Sequence, residues 1–338
     1  MLADFGLAEG AVVEPLGSGL INDTFAVRAA GEDWVLQRVH TVFSPEIHHN
    51  IAAVTEHLAA KGLATPRLRP TTAGALWTER EGRVWRVMTR LPGVTFDAMQ
   101  SPAQARAAGG ALGRFHRALE DLDHTFVGLR SGVHDTPAHL QRLREALGRH
   151  RAHRLHAAVA PLADALLDAA ETLPDLAALP MRVVHGDPKL NNVLFVGAEG
   201  PQAEQAVGLI DLDTVAPMQL HLELGDAWRS WCNRAGEDET QARFDLDVFE
   251  ASVGGYAQTG PELSAQEREA LVHGVEIISL ELAARFLADA LEESYFGWNR
   301  ERFGSAGEHN LVRGRGQWSL HEAAVACRAA RARILTAR

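Results

Sequence analysis

The stretch His185-Gly186-Asp187-Pro188-Lys189-Leu190-Asn191-Asn192 decides the fold, and a second acidic pair, Asp211-Leu212-Asp213, follows it. Lys189 lies two residues after Asp187, Asn192 five residues after it and Asp211 24 residues after it. Short apolar runs at 181–184, 192–196 and 206–210 predict strands whose ends carry these polar residues to one point. The alternative is a solvated loop with an Asx-turn at Asp187 and a helix cap at Asp211.

This spacing is typical of the catalytic loop of protein kinases, and the chemistry of phosphoryl transfer explains the residue types. The Asp187 carboxylate can orient an acceptor hydroxyl and take its proton. Asn192 and Asp211 offer oxygen atoms that suit the hard cation Mg²⁺. Lys189 can neutralise the γ-phosphate as charge develops on it. The sequence therefore predicts a phosphoryl-transfer site.

The pattern His-Gly-Asp-x-x-x-x-Asn with a later Ile-Asp resembles the aminoglycoside phosphotransferase and choline kinase superfamily of small-molecule kinases, which have a protein-kinase-like fold. Asp-Pro-Lys-Leu-Asn-Asn-Val-Leu-Phe at 187–195 and Leu-Ile-Asp-Leu-Asp-Thr-Val at 209–215 look like the N-acetylhexosamine 1-kinase branch, which phosphorylates the anomeric hydroxyl of N-acetylglucosamine or N-acetylgalactosamine. Residues 17–25, 35–39 and 310–313 extend the similarity. The resemblance implies ATP and Mg²⁺ as cofactors and a sugar as acceptor.

Composition is consistent with such an enzyme and excludes several other classes. The chain has 338 residues, of which 46% are hydrophobic and 23% charged, which is an ordinary globular mixture able to build two lobes. A formal net charge of -11 argues against nucleic acid or an anionic membrane as partner. Cys232 and Cys327 lack metal-ligand spacing and are expected to be reduced thiols. No leader-like or membrane-spanning run is present, so a cytoplasmic protein is expected.

The order of strand and helix signals predicts an α+β, bilobal fold. An N-terminal nucleotide-binding lobe at 1–91 is expected to contain an antiparallel sheet plus a helix, and a large, mostly helical catalytic and substrate-binding lobe is expected at 92–338. In the first lobe, Gly17, Ser18 and Gly19 form a turn that would let backbone amides approach phosphate, and Asn22 and Thr24 add polar groups. A plain hairpin turn is the alternative.

The next strand, 34–39, departs from the kinase pattern because it has no lysine for the α- and β-phosphates. Alternation puts Gln37 and Arg38 on opposite faces, and Arg38 is the predicted phosphate ligand, with an outer salt bridge as the alternative. Glu56, on a helix predicted at 45–61, could pair with that arginine or remain solvated. Adenine is expected to bind the backbone near Met88, before the Pro-Gly connector at 92–93.

The acceptor is predicted to bind near the C-terminal part of the chain. Arg285 lies on a helix at 279–292, and Tyr295 and Arg313 lie in a predicted glycine-containing loop; aromatic rings and arginine forks suit a sugar. The alternative is that Tyr295 packs the loop and that Arg313 caps Glu308 or the C-terminal helix. Choline, homoserine and aminoglycosides are the alternative acceptors, and an inactive nucleotide-binding regulator is the alternative from another class.

Overall fold

The structure is a computed structural model, and it describes residues 1–7, 10–16, 21–29, 31–236 and 238–337. The predicted turn at Gly17, Ser18 and Gly19 therefore lies outside the described residues. An antiparallel sheet in the order β1-β2-β3-β5-β4 forms the N-terminal part. Its strands are β1 (Val12–Pro15), β2 (Asp23–Ala29), β3 (Glu32–Val39), β4 (Thr78–Arg80) and β5 (Arg83–Thr89).

The two faces of this sheet have different environments because side chains alternate along each strand. One face carries Trp34, Leu36 and Val87, which pack against Phe5 and Leu7 of the N-terminal segment. Residues of the opposite parity lie on the other face, toward the helix that follows β3. Gln37 pairs directly with Arg86 across β3 and β5 in this register.

That helix, α1 (Ile47–Ala60), confirms the helix predicted after the third strand, although it begins two residues later than predicted. Ile51 and Val54 from its apolar stripe belong to the same buried core as the helices of the C-terminal part. The side chain of Asn50 donates to the Val127 carbonyl at 2.8 Å and accepts from the Val127 amide at 3.0 Å. The helix therefore connects the sheet to the helical part of the molecule through core packing and hydrogen bonds.

A short connector leads from the sheet to the catalytic strands. Val94 exchanges two backbone hydrogen bonds of 2.8 Å with Phe195. Gly93 has a φ of 137°, and a Cβ at this position would lie 2.4 Å from the Phe195 carbonyl oxygen. Only glycine allows this close approach without displacing the backbone. The proposed boundary between lobes at 91/92 falls in this connector and stays a prediction.

The C-terminal part is mainly helical, which confirms the α+β organisation. Its helices are α2 (Pro102–Ala118), α3 (Thr136–Arg149), α4 (His156–Ala170), α5 (Leu220–Trp231), α6 (Leu246–Thr259), α7 (Ala265–Glu292), α8 (Ala306–Ala326) and α9 (Arg328–Thr336). Four short strands form two antiparallel pairs: β6 (Met181–Val184) with β9 (Ala216–Gln219), and β7 (Val193–Phe195) with β8 (Ala206–Leu209). None of the helices in the described ranges is both long and apolar enough to cross a bilayer.

The prediction that residues 310–313 form a loop was wrong, because they lie inside α8. The glycines that suggested a loop instead allow close helix packing. A Cβ on Gly307 would lie 2.6 Å from the Ala290 carbonyl oxygen, and one on Gly314 would lie 2.7 Å from a Leu287 methyl group. These glycines let α8 pack closely against α7.

Candidate active site

The loop between β6 and β7 brings three predicted catalytic residues together. The Lys189 Nζ donates to Asp187 Oδ2 at 2.6 Å. The Asn192 amide nitrogen donates to the Asp187 carbonyl at 2.8 Å and to its Oδ2 at 3.2 Å. Because the amide nitrogen is used in this way, the amide oxygen of Asn192 is the atom left to face a cation.

Asp211 follows β8 and lies beside this loop. Its φ of 65° is left-handed, a conformation that aspartate and asparagine tolerate better than most residues. The neighbouring Ile210 donates its amide to the Asn192 carbonyl at 3.0 Å, and its own carbonyl accepts from His185 Nε2 at 2.8 Å. The segment that carries Asp211 is therefore hydrogen-bonded to both ends of the loop that carries Asp187.

Burial raises the pKa of the Asp211 carboxyl above its usual range, and the negative charges of Asp213 and Asp187 raise it further. Crowded carboxylates of this kind favour a bound cation, which relieves their repulsion. No group of three or more His, Cys, Asp or Glu side chains in the described chain is arranged to hold a metal ion. Mg²⁺ commonly uses only one or two protein carboxylates together with substrate phosphates, so Asn192 and Asp211 fit that ion.

Lys189 keeps its positive charge in this setting. Burial lowers the pKa of its ammonium group, but the charges of Asp187, Asp211 and Asp226 and the hydrogen bond to Asp187 outweigh that effect. The pKa of Lys189 therefore lies above its ordinary value. Asp226, on α5, was not among the predicted site residues, yet it is close enough to act on this lysine.

Helix α5 holds the catalytic loop in place, and its role was missed in the sequence. The buried Glu223 carboxylate accepts from the His185 amide at 3.0 Å and from the Gly186 amide at 2.9 Å. Two further residues of this helix bind the loop: Ser230 Oγ accepts from the Leu190 amide at 3.1 Å, and Trp231 Nε1 donates to the Pro188 carbonyl at 3.0 Å. An acidic residue inside the apolar run 220–224 was the available signal.

Replacing Glu223 with alanine is expected to lower the free energy of unfolding by roughly 2 to 6 kcal/mol, since each of two buried amides left without an acceptor costs about 1 to 3 kcal/mol. Urea denaturation of Glu223→Ala measures this loss. The exposed Glu269→Ala on α7 is the control and should change stability by no more than about 0.5 kcal/mol. Equal stability of the two variants would contradict the supporting role of Glu223.

Asn22, Thr24 and Met88 lie on the side of the sheet that faces the Asp211 segment. The amide nitrogen of Asn22 donates to Asp213 Oδ2 at 2.7 Å, which joins the sheet to the Asp211 segment. Thr24 Oγ1 accepts from Gln37 Nε2 at 3.1 Å. Met88 is buried near the end of β5, two residues after Arg86 and on the same face.

Two predicted contacts in this part of the molecule are corrected. Arg38 lies on the opposite face, where its Nε donates to Asp23 at 2.5 Å and its side chain is 45% exposed. The alternative of an outer salt bridge is therefore the observed arrangement, because pairing with β2 puts Gln37 rather than Arg38 beside Thr24. Glu56 points outward and lies 4.0 Å from Arg67, so it does not pair with a basic residue of β3.

The predicted acceptor residues lie around the end of α7 and the loop that follows it. The Tyr295 hydroxyl accepts from Arg130 at 2.6 Å, and its ring is about half exposed. Arg313 is buried; it donates to the Gly297 carbonyl at 2.9 Å and pairs with Asp238 at 3.2 Å. Arg313 therefore stabilises this loop through Gly297 and Asp238, rather than capping Glu308 as the alternative had it.

Arg285 lies in a more open position, with its guanidinium carbon 5.6 Å from the centre of the Phe296 ring. It belongs to a group that we call the α5–α7 polar cluster, consisting of His134, Asp226, Glu281 and Arg285. His134 Nδ1 hydrogen-bonds to Glu281 at 3.0 Å. Burial opposes protonation of His134, but Glu281 and Asp226 outweigh it and raise the pKa of this imidazole.

Asp226 connects the cluster to the catalytic loop, since its charge acts on both His134 and Lys189. The carboxylates of the cluster already have partners inside the protein. Asp226 accepts from Arg229 at 2.8 Å, and Glu281 accepts from Thr136 at 2.7 Å as well as pairing with His134. The α5–α7 polar cluster therefore provides no unpaired carboxylate near Lys189.

Sequence comparison places this chain in a known class. Residues 12–260 match the phosphotransferase enzyme family, and the chain belongs to that family. It is a phosphotransferase that uses an alcohol group as acceptor, a small-molecule kinase. Similar proteins include a homoserine kinase of Acidiphilium cryptum, 28% identical over 82% of this chain and 79% of the relative. Another is a homoserine kinase of Methylocella silvestris, 27% identical over 80% of this chain and 78% of the relative.

Solved structures confirm the protein-kinase-like fold. An aminoglycoside phosphotransferase from Alicyclobacillus acidocaldarius aligns with a TM-score of 0.63 at 14% identity, covering all of this chain and 97% of the other. A microcompartment-associated aminopropanol kinase aligns with a TM-score of 0.61 at 17% identity, covering 97% and 96%. An amicoumacin kinase in complex with AMP-PNP, Ca²⁺ and Ami aligns with a TM-score of 0.61 at 12% identity, covering 90% of this chain and 86% of the other.

Proposed function

We propose that this chain transfers the γ-phosphoryl group of ATP, with Mg²⁺, to a hydroxyl group of a neutral sugar, with an N-acetylhexosamine as the acceptor. The observation that carries the kinase chemistry is the contact of Asp187 with both Lys189 and Asn192, beside Asp211. The acceptor assignment is supported by the resemblance at 187–195 and 209–215 and by the charge balance of the α5–α7 polar cluster.

In the proposed reaction, Asp187 accepts a hydrogen bond from the acceptor hydroxyl and takes its proton as the oxygen attacks the γ-phosphorus. The bond from that phosphorus to the bridging oxygen breaks, and ADP leaves. Lys189 holds positive charge beside Asp187 and stabilises the charge on the transferring group. Asn192 and Asp211 would hold Mg²⁺, which neutralises phosphate charge when it is bound.

Charge balance distinguishes a neutral acceptor from an amine. A cationic acceptor is best held by unpaired carboxylates or by an aromatic cage. Asp226 and Glu281 are buried and paired with protein groups, and Arg285, whose charge acts on the same His134, adds a positive charge to the cluster. Hydroxyl and carbonyl oxygens can accept from the planar donors of an arginine, as the 2-acetamido group of a sugar does.

Homoserine is the second candidate acceptor, because the full-length relatives described above are homoserine kinases. Its carboxylate could pair with Arg285. Its ammonium group would need a carboxylate released from an internal partner, and that exchange has a desolvation cost. Homoserine therefore requires an unpaired carboxylate for its ammonium group, whereas a neutral sugar does not.

A panel of acceptors measured by ADP release is expected to favour N-acetylglucosamine over glucose by at least about tenfold in kcat/KM, because an unpaired polar group in the site costs about 1 to 3 kcal/mol. The panel includes N-acetylgalactosamine, choline, homoserine and kanamycin. Equal use of glucose and N-acetylglucosamine, or activity on homoserine, choline or kanamycin alone, would contradict the sugar assignment and leave the kinase class intact.

The same panel run on Arg285→Ala should show a raised acceptor KM with little change in the dissociation constant for ADP. Arg300→Ala is a matched control, since Arg300 also lies over an aromatic ring, that of Trp298, at 5.4 Å in the neighbouring loop. An unchanged acceptor KM in Arg285→Ala would remove Arg285 from the acceptor site.

A further inference from the structure

The nucleotide-binding sheet lacks the lysine that protein kinases place on β3, yet a cation lies at the corresponding place. Gln37 occupies the inward-facing position of β3. Its Oε1 accepts two hydrogen bonds from Arg86 of β5, one from Nε at 2.9 Å and one from Nη2 at 2.7 Å. Its Nε2 donates to Thr24 on β2. The glutamine thus orients an arginine that comes from the neighbouring strand.

The same arginine reaches the segment that carries the predicted metal ligand. Arg86 Nη2 lies 2.5 Å from Asp213 Oδ1, and Asp213 is two residues beyond Asp211. The side chains of both partners are almost fully buried, at 1% and 3% exposure. In kinases, a carboxylate of the helix after β3 holds the strand cation. Here the exposed Glu56 does not do so, and a carboxylate from the catalytic part of the chain is the partner.

This group of side chains is not fully satisfied by the protein. Arg86 Nη1 and His48 Nε2 are buried, and neither has a hydrogen-bond partner among the described residues. His48 Nδ1 is used in a hydrogen bond to the Pro45 carbonyl at 2.6 Å. A buried ion pair that served only stability would be expected to satisfy its donors, because an unmade hydrogen bond to a charged group is costly. The spare donor of Arg86 is the atom available to a ligand.

We infer that Arg86 is the cation that binds the α- and β-phosphates of the nucleotide, with Gln37 and Asp213 holding its guanidinium in place. This inference rests on the proposed use of ATP. Compared with protein kinases, the buried cation of the sheet lies on β5 instead of β3, and its carboxylate partner lies in the Asp211 segment instead of the helix after β3. Nucleotide phosphates and the metal-binding segment therefore share one buried arginine.

Binding of adenosine, AMP and ADP, measured by calorimetry, tests this role separately from catalysis. Arg86→Met should bind adenosine as the wild type does but bind ADP at least about tenfold more weakly, since charge-assisted hydrogen bonds to phosphate are lost. Arg86→Lys should recover most of the ADP affinity because it restores the charge. Arg28→Met is the matched control: this exposed arginine of β2 pairs with Asp33 at 3.1 Å, and its loss should leave ADP affinity unchanged.

Several outcomes would overturn the inference. Unchanged ADP affinity in Arg86→Met would do so, as would equal weakening of adenosine and ADP, which indicates a general loss of structure. Arg86→Gln, whose amide can still pair with Asp213, repeats the measurement if the methionine variant does not fold. Failure of both variants to fold would assign Arg86 to stability alone. If the wild type itself binds no ADP, the proposed function fails instead.

Discussion

Asp187→Asn is expected to lower turnover by ~10² or more while ADP binding is retained, in line with the contribution of a general base. The amide has the shape of the carboxyl group but cannot take a proton from the acceptor hydroxyl. Asp187 is the residue that contacts both Lys189 and Asn192, so no other group of the catalytic loop is placed to replace it. Steady-state kinetics and ADP calorimetry on the same preparation measure the two quantities.

The exposed Asp164→Asn on α4 is the matched control for this substitution and should keep wild-type turnover. Thermal unfolding of both variants checks that the loop remains folded. A turnover of Asp187→Asn close to that of the wild type would exclude Asp187 as the base.

The second large effect is expected at the proposed metal ligands. Asp211→Asn and Asn192→Ala should each raise the Mg²⁺ concentration for half-maximal activity by at least about tenfold, since even the outer partners of metal ligands contribute ten- to a hundredfold to affinity. Asparagine tolerates the left-handed backbone of Asp211, with its φ of 65°, so the substitution changes the charge and leaves the chain path intact. Activity titrated with MgCl₂ at saturating ATP gives the measurement.

Asp164→Asn again supplies the control, and its magnesium titration should match that of the wild type. If both ligand variants gave unchanged titrations, the metal would have to be held elsewhere. A reduced maximal rate with an unchanged magnesium midpoint would assign Asp211 and Asn192 to orientation of the loop.

Local patterns in the sequence predicted most of the strands and several of the helices, whereas β9 was not predicted. The strand at 181–184 was predicted with the observed bounds, and the Ser-Pro pair at 101–102 is a typical helix start, where the Gln104 amide donates to Ser101 Oγ at 3.1 Å. Such features depend on neighbours within a few residues, through side-chain alternation and helix capping. They can therefore be recognised without knowing the rest of the fold.

The errors have a different physical origin. Residues 310–313 were predicted to lie in a glycine-containing loop, but glycines at 307 and 314 allow α7 and α8 to approach closely, a requirement set by another helix. Glu56 was predicted either to pair with the arginine of β3 or to remain solvated, and the rotation of α1 leaves it exposed beside Arg67 while His48 is buried. The buried core that α1 shares with the C-terminal helices decides that rotation.

The sequence by itself predicted the phosphoryl-transfer loop, because Asp187, Lys189 and Asn192 lie within six consecutive residues and meet in any fold that keeps their loop compact. Tertiary structure alone decided which cation pairs with the Asp211 segment and which carboxylate supports the catalytic loop. Arg86 meets Asp213 across 127 residues, and Glu223 reaches the amides of His185 and Gly186 from the next helix. Those pairings depend on strand register and helix packing, which bring together groups that no short-range pattern connects.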